Sequence, residues 1–351
     1  MNLIKCILFP FSMLYGLVTD IRNYFYDVGF WRESTFNLSI INVGNLTVGG
    51  TGKTPHVEYL IRLLANKFSI VTLSRGYGRE TKGFLLADST VDAMTIGDEP
   101  YQFYQKFKHK IGVAVGENRV DAVSKILRQK PDTELIILDD AFQHRAIKPT
   151  FNILLIDFNR PIYDDFVFPV GRLRERRHGA KRADAVIVTK CPDDFSTETQ
   201  FSLMHNLQPY LRKNTPIFFT KIMYGKPINC RLEVESITLG KVVLLSGIAN
   251  PKPFENYAKR TFEVINHLIF KDHHDFEEKD LGKIVNENDF NGKAILMTEK
   301  DMVKFKPFLY HPLLQGIELY YLPIEIEFLN TNMKLIFDKL ITEKVKVGKK
   351  R

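Results

Sequence analysis

Residues 44–54 read Gly-Asn-Leu-Thr-Val-Gly-Gly-Thr-Gly-Lys-Thr. The apolar run 38–43 precedes them and a helical pattern over 55–67 follows. That order, strand then glycine-rich turn then helix, is the setting in which backbone N–H groups wrap phosphate oxygens. Gly49, Gly50 and Gly52 allow the close approach. Lys53 can reach the β- and γ-phosphates of ATP and Thr54 can ligate Mg²⁺. The nucleotide-binding candidates are therefore Thr47, Val48, Gly49, Gly50, Thr51, Gly52, Lys53 and Thr54. Thr47 stands where G-x-x-x-x-G-K-[ST] has its first glycine.

Acids supply the rest of the chemistry. Leu135–Asp140 reads LIILDD, four apolar residues ending in two carboxylates, and one Asp at a strand end there can hold Mg²⁺. Gly97-Asp98-Glu99-Pro100 offers a base or a further metal ligand, the alternative being two acids placed at a helix start. The candidate metal ligands are Thr54, Glu99, Asp139 and Asp140. Asp272-His273-His274-Asp275 suits an Asp–His acid/base partnership, a metal site or a plain turn. Residues 172–182, RLRERRHGAKR, hold six Lys/Arg and one Glu, which suits a phosphate or an anionic headgroup, or else a solvated helix face. Ser74–Arg79 is glycine-rich and arginine-bearing at a predicted strand end, the carboxyl edge where open α/β sheets bind ligands.

The elements that must position these residues are short continuous apolar runs: 38–43, 69–73, 111–115, 135–139, 153–157 and 185–189. Continuous rather than alternating runs mark strands buried on both faces. With helical stretches between them, they predict an α/β fold with a mainly parallel sheet sandwiched by helices. Runs at 217–222, 241–246 and 293–297 begin a second set. The expected division is an amphipathic membrane-associating helix over 1–30, a P-loop core over 31–222, and a smaller α/β domain with a C-terminal helix over 223–351. The last eight residues, KVKVGKKR, read as a solvated basic tail.

The chain has 351 residues, with 44% hydrophobic and 26% charged, enough for two domains with their own cores. Three widely spaced cysteines and no CxxC argue against a disulfide framework or zinc site. A net charge of +8 points to an anionic partner, and no RNA-binding or zinc-finger signature makes that partner nucleic acid. Residues 3–18 carry Lys5 as their only charge. As a helix they would span ~24 Å, short of a ~30 Å hydrocarbon core, with Pro10 inside. Ile4, Ile7, Phe11, Leu14 and Val18 share one face, and Arg22, Tyr24, Phe25, Tyr26, Phe30 and Trp31 follow. That pattern predicts a helix lying on a membrane rather than crossing it. The alternatives are a helix packed on the core and a secretory signal, which lacks a cleavage site here.

These segments together resemble the tetraacyldisaccharide 4′-kinase family. The matching stretches are VGNLTVGGTGKTP at 43–55, SRGYG at 74–78, GDEP at 97–100, LDDAFQH at 138–144, GRLRE at 171–175, GIA at 247–249, Asp272-His273, TEKD at 298–301 and Val303-Lys304. Thr47 is normal for that family. The chain departs from it around 161–175, PIYDDFVFPVGRLRE, where many members have a stretch richer in Leu, Pro and Gly. The resemblance implies ATP- and Mg²⁺-dependent phosphorylation of the 4′-hydroxyl of a tetraacyldisaccharide 1-phosphate, giving lipid IVA. It implies a peripheral protein on the cytoplasmic face of the inner membrane, two α/β/α domains joined by a strand linker, and a catalytic pair landing on Asp98 and His273. Lys53 completes the catalytic set. The substrate-side candidates are Arg75, Arg79, Arg119, His144, Arg172 and Arg174. The expected partners are the lipid A disaccharide precursor and the membrane surface, with the chain acting as a monomer. The rival readings are a P-loop switch, which should carry an N-K-x-D-like guanine reader and has Thr189-Lys190-Cys191-Pro192-Asp193 instead, and a kinase of a soluble metabolite.

Overall fold

The computed structural model describes residues 3–236, 239–272, 274–286 and 293–348. His273, a predicted catalytic residue, lies outside them. The larger sheet has nine strands in the order β14 (Ile324–Phe328), β8 (Ile217–Tyr224), β7 (Ala185–Thr189), β6 (Phe151–Asp157), β1 (Ser39–Asn45), β5 (Leu135–Asp139), β2 (Ile70–Ser74), β4 (Gly112–Val115) and β3 (Leu85–Leu86). Its seven inner strands are parallel, and β14 and β3 close the two edges antiparallel. Strands β1, β2, β5, β6 and β7 are buried at every position, which is why they read as unbroken apolar runs. The second sheet runs β11 (Glu263–Ile269), β10 (Lys241–Ser246), β12 (Lys293–Thr298), β13 (Glu318–Leu322), β9 (Ile228–Asn229).

Helices cover both faces of each sheet. On the large sheet, α2 (Lys53–Leu64), α4 (Asp98–Phe107) and α10 (Thr331–Gly348) bury Val57, Leu60, Phe103, Phe337 and Ile341 against one face. The other face takes α5 (Arg119–Gln129), through Val123 and Ile126, and α6 (Thr197–Leu207), through Leu203 and Leu207. The short α3 (Ala93–Ile96) leads into α4. On the second sheet, α7 (Lys252–Thr261) lies on one side and α8 (Glu278–Asn286) with α9 (Glu299–Phe305) on the other.

The C-terminal part differs from its predicted place. The chain leaves β13 through Pro323, which cannot donate to a strand ladder, and turns back onto the large sheet as β14. Ile326, Phe328, Phe337 and Ile341 then complete the core beside α2, so β14 and α10 belong with the nine-stranded sheet rather than the smaller one. Lys344–Gly348, expected in a solvated tail, is the end of α10. Val345 there is fully buried and its carbonyl accepts a 2.7 Å hydrogen bond from Ser39 Oγ. The two sheets are thus joined by two crossings, which touch where Gly225 N–H donates to Pro323 O at 2.9 Å.

The N-terminal helix α1 (Leu3–Asp27) has 25 residues, longer than the apolar run suggested. At ~37 Å it exceeds a bilayer core, so the length argument against spanning does not hold. Its packing gives a better one. Ser12, Gly16, Thr19 and Asn23 form a small, polar stripe buried against the body. Ser12 Oγ donates to Val167 O at 2.5 Å, Asp20 pairs with Arg176 at 2.9 Å, and Arg145 pairs with Asp27 at 2.7 Å. The opposite face exposes Ile4, Ile7, Phe11, Leu14, Leu17, Val18 and Ile21. The apolar face points away from the protein, the reverse of a core-packed helix.

Candidate active site

The glycine-rich loop sits between β1 and α2 as expected. Gly49 (φ 112°) and Gly52 (φ 80°) take conformations that other residues adopt only under strain. Thr47 needs no such freedom: it pairs as a bridge with Leu173 and has no positive φ, which accounts for a threonine at that position. The loop is braced from all sides. Val48 N–H donates to Arg172 O (2.8 Å), Asn45 Nδ2 to Thr51 Oγ1 (2.8 Å) and Thr189 Oγ1 to Thr51 O (2.9 Å). His56 Nδ1 lies 2.7 Å from Gly52 O, and burial lowers this imidazole to about 4, so it serves as a neutral brace at pH 7. Lys190 reaches both Gly50 O and Asp157. The segment considered as a guanine reader therefore supports the phosphate loop.

Strand β5 lies beside β1 and delivers the acids to Lys53. Lys53 Nζ is 3.6 Å from Asp140 Oδ2, and Arg174 Nη1 contacts both Asp140 oxygens at 3.0 and 3.1 Å. Burial opposes ionisation of Asp140, but Lys53 and Arg174 outweigh it and hold the carboxyl below its usual range. Asp139 is the opposite case. Burial, then the charge of Glu99, push its carboxyl well above the usual range despite Lys53 and Arg119. Its Oδ1 is buried without a hydrogen-bond partner. An orphaned buried carboxylate oxygen, facing Glu99 and close to the loop, fits a hard cation. No group of three or more His, Cys, Asp or Glu that could hold a metal occurs among the described residues. Mg²⁺ needs only one or two carboxylates and leaves its other positions to phosphate and water. Glu99, Asp139 and Asp140 are thus brought together near Lys53, with Asp140 engaged by cations and Asp139 Oδ1 unpartnered, and Thr54 follows Lys53 as the second residue of α2.

Two glycine motifs place Asp98 and Glu99. At Gly97 (φ 92°) a Cβ would come within 2.9 Å of Tyr77 O, and at Gly76 (φ 71°) within 3.0 Å of Ile96 O. The 74–78 turn and the 97–100 turn therefore pack backbone to backbone and fix the start of α4. Asp98 is its first residue and lies 3.1 Å from Lys304 of α9. His274 is accounted for structurally: it stacks on Phe270 (4.7 Å between centroids, 27°) and its Nε2 meets Asp280 at 2.8 Å.

The predicted substrate-side cations separate into groups. Arg119, at the head of α5, is almost fully buried, its Nη1 donates to Gly116 O and Glu117 O, and its Nε has no partner. Burial, partly opposed by Asp139, lowers its guanidinium to about 10. His144 is lowered to about 4, first by burial and then by Arg119, Arg75 and Arg22. Arg22, Arg75 and Arg119 thus make a cationic region around the neutral His144, reaching from α1 towards the acids. Arg79 is taken up by protein groups: it is tied to Glu117, whose backbone O also accepts from Arg119, at 2.6 Å and to Gly83 O. Arg172 sits at a depression lined by Thr47–Thr51, Asp157, Arg160 and Asp165, on the phosphate-loop side. Arg174 is held by Asp140. Arg160 has no local sequence signal, while Arg22 reads from sequence only as an interfacial residue, Glu175 only as the one acid of a basic run, and Lys190 only as part of the guanine-reader segment.

A family described as Tetraacyldisaccharide-1-P 4'-kinase matches residues 4–342. The Tetraacyldisaccharide 4'-kinase of Flavobacterium johnsoniae is 46% identical, over 99% of this chain and 98% of its own. That of Flavobacterium psychrophilum is 45% identical over 97% of each. In structure, the chain is similar to LpxK from Aquifex aeolicus, solved in complex with ATP, with TM-score 0.77 and 30% identity over 98% of this chain and 100% of that one.

Proposed function

The chain belongs to the tetraacyldisaccharide 4′-kinase family, and from that premise we propose that it transfers the γ-phosphoryl group of ATP to the 4′-hydroxyl of a tetraacyldisaccharide 1-phosphate, giving lipid IVA. The observation that carries this reading is one edge of the large sheet. There Lys53, the orphaned carboxylate of Asp139, Glu99 and the start of α4 converge beside a cationic region that reaches α1. Such an edge suits a triphosphate on one side and a phosphorylated lipid on the other.

Catalysis of phosphoryl transfer is positioning plus charge stabilisation. The loop's N–H groups and Lys53 hold the β- and γ-phosphates. Thr54, Asp139 and Glu99 would hold Mg²⁺, which would supply positive charge to offset that of the phosphates. Asp140, kept ionised by Lys53 and Arg174, orients the lysine. Asp98 with His273 accepts the proton of the 4′-hydroxyl as its oxygen bonds to phosphorus and the γ-phosphorus–oxygen bond to ADP breaks. Arg75, Arg119 and His144 contact the lipid's polar portion. His144, neutral at pH 7, serves as a hydrogen-bonding group rather than a charge.

The outward apolar face of α1 sits in the cytoplasmic leaflet of the inner membrane. Because residues 12–27 are docked on the folded body, α1 cannot cross the bilayer without leaving it. The test is transfer of label from γ-labelled ATP to purified tetraacyldisaccharide 1-phosphate in detergent micelles with Mg²⁺. Labelled lipid supports the reading, and ATP turnover without labelled lipid contradicts it.

A further inference from the structure

Among the polar contacts between the large sheet and the second one, two sets join α4 to α9 and its C-terminal extension. At the far end of α4, Lys106 Nζ lies 2.7 Å from Glu58 of α2 and 2.6 Å from Glu299 of α9, while Lys306 donates to Gln105 at 2.7 Å. These contacts already fasten the helices together. The second bridge stands at the opposite end, at the cleft. Lys304 Nζ is 3.1 Å from Asp98 Oδ2 and 3.0 Å from Asp275 Oδ1, with its side chain 7% exposed. A lysine buried to that degree gives up most of its hydration, which a surface fastening would not require.

The helix that carries it is firmly set. Thr298 caps α9 by accepting from Asp301 N–H at 3.2 Å, and Asp301, almost fully buried, takes a backbone hydrogen bond from Gly247. Lys304 follows Asp301 by three residues, on the adjoining face of the same short helix. The TEKD segment thus anchors α9 to the second sheet and aims Lys304 across the cleft.

We infer that Lys304 is a positioning residue for Asp98, supplied by the second sheet to orient that carboxylate for proton transfer. The inference rests on the acid/base role proposed for Asp98. An ammonium 3.1 Å from Oδ2 fixes the carboxylate's rotation. Because the lysine comes from the other sheet, the carboxylate is set only when the two sheets are together.

The test uses the full-length enzyme in micelles, with kcat and both KM values measured for Lys304→Met, Lys304→Arg, Lys306→Ala, Asp98→Asn and the Lys304→Met/Asp98→Asn double variant. Lys304→Met is expected to lower kcat by about tenfold or more, within the share carried by a general base, with either KM changed by less than about threefold. Lys304→Arg should restore most of the rate, and Lys306→Ala should leave kcat unchanged. The double variant should be no slower than Asp98→Asn, as for parts of one unit. Should Lys304→Met fail to fold, Lys304→Arg and Lys304→Gln carry the comparison: a fast Arg and a slow Gln support the role, and equal rates contradict it. A normal kcat in Lys304→Met beside a slow Asp98→Asn overturns this inference alone. Multiplied losses in the double variant, or a raised KM for ATP with kcat kept, also overturn it. A normal Asp98→Asn would show instead that the underlying acid/base reading has failed.

Discussion

Asn23 of the N-terminal helix donates a 2.7 Å hydrogen bond to Glu175, a carboxylate with no solvent exposure. Glu175 also accepts from Arg182 at 2.7 Å and from Gln143 at 3.0 Å, and Gln143 in turn meets Arg174, the partner of Asp140. A connected polar network therefore runs from the N-terminal helix to the acid beside Lys53. Burial opposes ionisation of Glu175, but Arg182, Gln143 and Asn23 together hold its carboxyl below the usual range. A depressed folded-state pKa stabilises the fold above the unfolded value, and that stability is lost as pH falls through the folded one. Glu175→Gln should therefore destabilise the protein at pH 7, by roughly 1–3 kcal/mol for a broken buried network. The difference should shrink as pH drops below ~4, near the unfolded carboxylate value. Urea unfolding of both proteins at pH 7 and pH 4 checks this, and a gap that widens in acid contradicts it.

Asp139 carries the opposite sign. Its raised pKa means that, without a cation, ionising it costs stability at neutral pH. Asp139→Asn should raise the melting temperature of the metal-free protein at pH 7 while removing most activity. Mg²⁺ with ATP should raise the melting temperature of the wild type more than that of the variant. Asp140→Asn, which strips partners from Lys53 and Arg174, should destabilise instead. Thermal unfolding of the three proteins, with and without Mg-ATP, decides it. Equal responses to Mg-ATP would rule out Asp139 as the metal ligand.

Lys53→Ala should leave the fold intact, since the loop is braced by Asn45, Thr189 and His56, and lower kcat by at least about a hundredfold. Circular dichroism with steady-state rates tests both halves. Retention of more than about a tenth of the wild-type rate is incompatible with the charge assigned to this lysine.

Phe11→Glu with Leu14→Glu places two charges on the exposed face of α1 without touching its docked stripe. The variant should move from the membrane fraction to the supernatant, and its KM for lipid should rise while that for ATP stays constant. Wild-type protein that survives alkaline extraction from membranes would favour a spanning helix.

What was readable in sequence follows from how local each signal is. The phosphate loop needs glycines and a lysine within eight residues, and the inner strands need only continuous apolar runs, so both could be read. Strand β11, EVINHLI, is an edge strand with most of its side chains at least partly exposed, and it carries no such run. The return of β14 and α10 to the large sheet depends on a turn at Pro323 and on partners over 250 residues upstream, such as Tyr59, whose hydroxyl donates to Asp338. The predicted lipid-side arginines divide in the same way. Arg79 is taken by Glu117, 38 residues further along the chain, and Arg22 joins the cationic region only because α1 docks. Lys304 reaches Asp98 through a contact between two sheets, which no spacing rule contains.

The central claim concerns where the phosphoryl group goes. Phosphorus NMR of the lipid recovered after incubation with Mg-ATP, micelles and tetraacyldisaccharide 1-phosphate reads this directly. The predicted spectrum keeps the 1-phosphate resonance and gains one further phosphomonoester coupled to the proton at the 4′ carbon, in an amount equal to the ADP formed. ADP accompanied only by inorganic phosphate, or a new phosphoester coupled to a different sugar proton, would contradict it.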